Sequence, residues 1–198
     1  TEAAFKRGAP GRRMLHLATH GFFLGGDCAN AGESSRGFKV VEEKVAAPRV
    51  ATYVSPLLLS GLALAGANRR ASASASDEDG LLTAEELASL DLSGVEWAVL
   101  SACDTGVGEI QAGEGVFGLR RAMQLAGVHT LVMSLWPVDD EATRAWMAAL
   151  YRARLTERLD TVAAVREAGL SAVKARRAAG RSTHPFYWAA FVAAGDWR

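Results

Sequence analysis

Met14-Leu15-His16-Leu17-Ala18-Thr19 ending in His20-Gly21, and Ala98-Val99-Leu100-Ser101-Ala102 ending in Cys103-Asp104-Thr105-Gly106, are the two stretches on which the fold turns. Each is a short apolar run stopped by a polar, glycine-containing turn, the pattern of a buried strand that ends abruptly. The first delivers an imidazole and the second a thiol. In parallel α/β sheets reactive groups gather beyond the carboxyl ends of the strands, so two such strands side by side bring His20 and Cys103 to one cleft. His16, inside the first run, is expected to be a packed histidine with a hydrogen-bond partner.

Around these strands the chain alternates between strand and helix signals, which predicts a mostly parallel sheet with helices on both faces. Residues 1–8 suggest the tail of a helix, and Gly8-Ala9-Pro10-Gly11 a turn. Leu57 to Ala65 is expected to be a turn leading into a strand. Thr83-Ala84-Glu85-Glu86 has the spacing of a capping box opening a short helix to about Leu90. A helix with Val116, Leu119, Met123 and Ala126 on one face is closed by Gly127. Thr130 to Trp136 is a buried strand, after which Asp139 or Asp140 caps a helix burying Trp146, Ala149, Leu150 and Ala153. A further helix spans about Thr161 to Ala179, and Phe186 to Ala194 is expected as a closing strand. Residues 25–56 and 67–80 are expected to be variable surface excursions, the first with a peripheral hairpin pairing Phe38-Lys39-Val40-Val41 with Val50-Ala51-Thr52-Tyr53-Val54, the second a flexible loop.

The chain has 198 residues, 49% of them hydrophobic, and its 22 basic residues balance 22 acidic ones. That length suits one α/β domain with a substantial core, taken here as residues 1–198. Charge neutrality argues against a nucleic-acid module, which needs a surplus of Lys and Arg on one face. Apolar stretches are broken well before the roughly 18 residues that a membrane span requires. No signal peptide is evident at Thr1-Glu2-Ala3-Ala4-Phe5-Lys6, which suggests a piece of a longer chain. With only Cys28 and Cys103 there is no disulfide framework, and a reducing cytoplasm is expected. Neither cysteine has a CxxC partner, and His16, His20, His129 and His184 lack ligand spacing, so no metal or other cofactor is expected.

The chemistry rests on the pair. A cysteine thiol with a pKa near 8.5 is only a few per cent thiolate at neutral pH, and an adjacent imidazole can raise that fraction or take the proton during attack. Attack on an amide carbonyl creates an oxyanion, which backbone amides stabilise by roughly 3 kcal/mol per donor. Gly21 admits close approach of substrate, and its amide with that of Cys103 would form the hole. Acyl transfer to Cys103 and then hydrolysis would complete the reaction.

Leu15 to Gly21, Leu100 to Gly106, Gly113-Glu114-Gly115-Val116, Ser134-Leu135-Trp136-Pro137-Val138-Asp139-Asp140-Glu141-Ala142-Thr143 and His184-Pro185-Phe186-Tyr187-Trp188-Ala189-Ala190-Phe191 resemble, in order, the signatures of the CHAT domain. That family belongs to the caspase-like cysteine peptidases, with separases and gingipains as relatives. The resemblance implies a caspase-haemoglobinase fold and hydrolysis of peptide bonds in a protein substrate, with His20 as general base, Cys103 as nucleophile and Gly21 at the oxyanion. By likeness to separases, Asp140 or Asp139 would receive a basic P1 side chain against a wall formed by Trp136; both aspartates are equally readable as helix caps. Asp104 and Glu114 are further acidic candidates, and Ser101 stands where relatives carry a specificity residue. Family members carry tetratricopeptide or other repeats upstream in the same chain, and some act in bacterial defence and cell death on gasdermin-like substrates. With a basic P1 preference, Arg69-Arg70 would be a self-cleavage site, solvated surface charge being the plainer alternative. Two other functions fit: a catalytically silent scaffold for protein partners, and a thiol acyl hydrolase or transferase for small molecules with a closed pocket.

Overall fold

The computed structural model describes residues 1–23, 55–72, 78–101, 114–136 and 138–196. The expected hairpin at 38–54 lies outside them, as does Cys28. Strands β1 (Met14–Leu17), β5 (Trp97–Leu100), β6 (Thr130–Ser134) and β7 (Phe191–Gly195) form one sheet in the order β1-β5-β6-β7. β1, β5 and β6 run parallel, and β7 returns antiparallel to β6. A second, antiparallel sheet joins β2 (His20–Phe23), β3 (Ser60–Ala63) and β4 (Leu81–Thr83) in that order. The helices are α1 (Glu2–Gly8), α2 (Ala84–Ala88), α3 (Glu114–Leu125), α4 (Asp140–Tyr151) and α5 (Thr161–Ala178).

Alternation of side chains along the parallel strands divides the core in two. Ala98, Leu100, Leu131 and Met133 pack on one face with Leu87 of α2 and with Leu119, Ala122 and Met123 of α3. Trp97, Val99 and Val132 pack on the other with Trp146, Met147 and Leu150 of α4 and with Ala164 and Ala168 of α5. All four residues of β5 and all five of β6 are buried. Both faces of these central strands are therefore apolar, as parallel strands covered by helices on both sides require. Leu62 of β3 and Leu82 of β4 join the first cluster, so the small sheet shares its core with α3 rather than standing apart.

Local signals act as the sequence suggests at several boundaries. Thr83 accepts from the Glu86 amide at 3.2 Å while Glu86 accepts from the Thr83 amide at 2.9 Å, completing the capping box. Gly127, at φ +100°, turns the chain out of α3 in a conformation that disfavours a Cβ. Elsewhere the structure differs. The 186–194 segment is a strand only from Phe191; Pro185–Tyr187 is a 3₁₀ turn, for which Pro fixes the first φ. The 67–80 stretch is anchored at both described ends. Ala67–Ser72 forms a 3₁₀ turn, and the buried Gly80 amide donates to Glu2 Oε2 at 2.9 Å.

That last contact belongs to an ion cluster that holds α1 to the domain. Lys6 Nζ lies 2.6 Å from Glu2, 2.7 Å from Glu78 and 2.9 Å from Glu86. Burial pushes the Glu2 carboxyl up, whereas the bonds to Lys6 and Glu2 pull Glu78 down. For Glu86, desolvation is outweighed by bonds to Thr83 and Lys6, and its pKa is lowered. Desolvation would also depress Lys6, but three carboxylates hold it above the ordinary lysine range. Glu78 and Glu86 therefore contribute stability that is present above the unfolded carboxylate pKa and lost as pH falls through their lower folded values; Glu2 opposes them. Lys6→Met is expected to cost about 2 kcal/mol at pH 7, less than a fully buried pair because Glu78 is exposed and Glu86 only half-buried. The deficit shrinks toward pH 4 as Glu2, deprived of its cation, takes up a proton, and urea unfolding at the two pH values measures it.

Candidate functional site

The parallel strands open at one edge. Leu17 pairs with Leu100, and Leu100 with Met133, so β1, β5 and β6 end level with one another. The segments leaving these strands emerge at the same rim: Thr19 and His20 after β1, Ser101 after β5, Leu135 and Trp136 after β6. β7 runs the opposite way, and its first residue, Phe191, pairs with Ser134. Residues 185–190 therefore approach that rim too.

His20 is the first residue of β2 and lies opposite Ala63 of β3, with Gly21 opposite Leu62. This corrects the expectation of an open turn after β1. The chain turns within Ala18-Thr19 and enters the second sheet at once, because Thr19 Oγ1 donates to the Ala63 carbonyl and ties the corner to β3. His20 is exposed and Gly21 half-buried, so the imidazole is held by a strand yet open to solvent. Ser101 is half-buried, and its amide donates to the Leu17 carbonyl at 2.9 Å, carrying the β1–β5 pairing one residue past the strand. Cys103 and Asp104 lie outside the described residues; Glu114 opens α3.

Beyond β6, Trp136 stacks on Phe186 with the ring planes 9° apart and the centroids 6.1 Å apart, and its indole N–H donates to the Phe186 carbonyl at 2.9 Å. Phe186 meets Tyr187 edge-on, and the Arg176 guanidinium lies 4.2 Å from the centre of the Tyr187 ring. The Trp136 side chain is thus fixed from α5 through the 3₁₀ turn. Phe186, Tyr187 and Arg176 are not apparent from strand-like patterning; the His184-Pro185 dipeptide is the one local signal that this segment turns before β7.

The two aspartates separate. Asp139 is the N-cap of α4, its carboxylate accepting from the Ala142 amide at 2.9 Å. Asp140 is the first helical residue, and its side chain is exposed. Asp139 is therefore engaged by the backbone, while Asp140 is not the cap.

His16 does have a partner, on the opposite side of β1 from Leu15 and Leu17, but the histidine is exposed rather than packed because it lies on an edge strand. Its Nδ1 lies 2.8 Å from the Tyr151 hydroxyl at the end of α4. Desolvation raises the Tyr151 phenol to about 12, which leaves its O–H available to that nitrogen, and lowers the His16 imidazole. A lowered folded value favours neutral imidazole, so its contribution to stability is present above the unfolded pKa of 6.5 and is lost as pH falls through the folded value. His16→Gln is expected to flatten the stability profile between pH 7 and 5, measured by denaturant titration. Among the described residues the one set of carboxylates close enough to hold a metal is Glu2, Glu78 and Glu86, and the Lys6 ammonium bridges all three.

The architecture is that of a caspase-like α/β domain, a mostly parallel sheet flanked by helices. The chain belongs to the CHAT domain family, whose profile matches residues 1–196. That family is related to cysteine peptidases. The chain is also 34% identical over 116 residues to tetratricopeptide repeat protein 28 of Mus musculus, and 33% identical over 116 residues to the Homo sapiens protein of the same name. Each match covers 59% of this chain and 4% of the relative, so the chain spans a small part of their length. Among the described residues no helix is long and apolar enough to cross a membrane.

Proposed function

We propose that the chain is a cysteine endopeptidase that cleaves peptide bonds in a protein substrate through a His20–Cys103 dyad. The observation that carries this reading is the register of β1 on β5. Leu17 and Leu100 are paired, and His20 and Cys103 each come three residues after their paired leucine. Equal offsets from the level ends of adjacent parallel strands favour a common cleft for the imidazole and the thiol. His20 then takes the Cys103 proton, the thiolate attacks the scissile carbonyl, and the amides of Gly21 and Cys103 receive the oxyanion. The protonated imidazole gives its proton to the departing amine. Water, activated by the same imidazole, cleaves the thioester and regenerates the thiol.

The substrate side of the reading places a basic P1 residue near Asp140, with Trp136 as the wall and Ser101 and Asp104 at the mouth. Asp139 is the weaker candidate because its carboxylate already caps α4. By family likeness the domain follows a repeat region in the same chain, works in the cytoplasm, and is a regulated effector in bacterial defence or cell death with a gasdermin-like substrate. The similarity to two proteins named for tetratricopeptide repeats supports the repeat association. Those names carry no catalytic activity, which favours as second reading a silent scaffold for protein partners. Incubation with fluorogenic peptides ending in Arg or Lys decides between them. Release of fluorophore by the native chain and not by Cys103→Ala is expected, and no Cys103-dependent turnover across a peptide library would favour the scaffold.

A further inference from the structure

We infer that the outward face of α5 is a docking surface for an acidic segment of a partner protein, held by Arg166, Lys174, Arg177 and Arg181 with Val162 and Leu170 as its apolar component. The inference is independent of the dyad reading and uses none of its residues.

The row follows from helical spacing. Arg166, Leu170, Lys174 and Arg177 stand at i, i+4, i+8 and i+11, which 3.6 residues per turn brings to one side of the helix. The other side is fixed by Thr161, Ala164, Ala168 and Gly169, all buried, with Ala164 and Ala168 in the core beside Trp146 and Leu150. Arg166, Lys174 and Arg177 are exposed, and so is Arg181 just past the turn at Gly180. Val162, 48% exposed, and the half-buried Leu170 add apolar surface. From Arg166 to Arg177 the row spans about 16 Å.

Its charge is unanswered, and that singles it out. A solvated helix face ordinarily mixes signs, with acidic and basic residues three or four apart. α5 holds one acidic residue, Glu167, half-buried beside the row. Among the described residues no carboxylate lies within ion-pair distance of Arg166, Lys174, Arg177 or Arg181. Arg176 differs: its Nε donates to the Ser182 carbonyl, and its guanidinium covers the Tyr187 ring. Like charges three or four residues apart destabilise a helix. The helix dipole offsets this for Arg177 in the last turn, but gives nothing to Arg166 near the start.

The distribution of charge decides the occupant. Residues 161–181 carry five basic side chains and one acidic, in a chain whose charges balance, so the rest of the molecule is net acidic. A nucleic acid or an anionic membrane presents charge over a broad surface and meets that acidic remainder as well. A short acidic segment pairs with the row alone, and its apolar side chains meet Val162 and Leu170.

The test is fluorescence anisotropy of the native chain with a fluorescein-labelled helical peptide of about 18 residues, long enough to span the row, with glutamates at i, i+4, i+7 and i+11 and leucines between them. Saturable binding is expected at about 0.05 M salt, weakening at least about tenfold by about 0.5 M. Arg166→Glu with Arg177→Glu is expected to weaken it at least about tenfold, and Arg166→Gln with Arg177→Gln about fivefold, the second pair carrying the test if circular dichroism shows the first unfolded. Arg7→Glu with Arg121→Glu makes the same change in net charge at exposed positions of α1 and α3, which pack in the other core cluster, and should leave binding within about twofold. Serine in place of the leucines should weaken the peptide severalfold. No saturable binding, binding indifferent to the α5 substitutions, or equal weakening by the α1 and α3 pair overturns the inference. Tighter binding of a single-stranded oligonucleotide, or of vesicles of equimolar phosphatidylserine and phosphatidylcholine, overturns it too, because the face would then serve a polyanion and not a protein.

Discussion

Cys103→Ala is expected to eliminate peptide turnover, lowering kcat/KM on the order of 10⁴-fold or more while the fold stays intact. Loss of a nucleophile removes the covalent path altogether, and the residual rate is the modest catalysis that binding and oxyanion donors supply over water. His20→Ala is expected to behave differently. It retains the thiol, so activity falls by about 10²–10⁴-fold at neutral pH and recovers in part as pH rises toward the free cysteine pKa of about 8.5, where hydroxide does the work of the imidazole. A steady-state comparison of both variants from pH 6 to 9.5, with circular dichroism to verify folding, separates the roles. Equal, pH-independent losses in the two variants would deny His20 its part as base. His16 provides an internal control: engaged by Tyr151 on the α4 side of β1, it should be replaceable without loss of the reaction.

Much of this arrangement is legible in the residues, for reasons that also explain why the rest is hidden. β1, β5 and β6 are runs whose apolar character ends at polar or glycine-bearing turns, and the fully buried β5 and β6 are the kind of strand such runs mark. Thr83 and Glu86, Gly127 and Asp139 act through neighbours within four residues, so their spacing suffices. β2 and β4 are hidden for the opposite reason. His20-Gly21-Phe22-Phe23 is separated from β1 by only two residues, and Leu81-Leu82-Thr83 runs straight into a capping box, so each is too short to show a period of two; pairing to β3 is what makes them strands. The Lys6 cluster joins groups 72 and 80 residues apart, a proximity no local pattern encodes. The site divides in the same way. The histidine and cysteine are marked by strand ends, whereas the shelf of Trp136, Phe186 and Tyr187 depends on β7 returning antiparallel to β6.

Asp140→Ala is expected to erase a preference for basic P1 residues, lowering kcat/KM for an Arg-ending peptide by about 50- to 100-fold and leaving that for a Leu-ending peptide within about twofold. The figure corresponds to about 2–3 kcal/mol, the scale of a charged partner removed from a recognition site. The structure supplies the control that isolates this effect. Asp139 holds the α4 N-terminus through the Ala142 amide, so Asp139→Ala should cost about 1 kcal/mol of stability by loss of the cap, with both peptides affected alike. Asp140, one residue on and exposed, contributes to the helix through its charge near the first turn, and its replacement should shift stability by less than that. Discrimination and stability thus assign the two carboxylates independently. If Asp140→Ala keeps the Arg-over-Leu ratio and Asp139→Ala loses it, the cap is also the receptor; if neither changes the ratio, selectivity resides in Asp104 or in the rings of Trp136 and Phe186. The ionic strength dependence adds a further check. A carboxylate–guanidinium contact at an open rim weakens as salt is raised from about 0.05 to 0.5 M, whereas an aromatic wall does not, so the Arg-to-Leu ratio of the native chain should fall with salt and that of Asp140→Ala should stay flat.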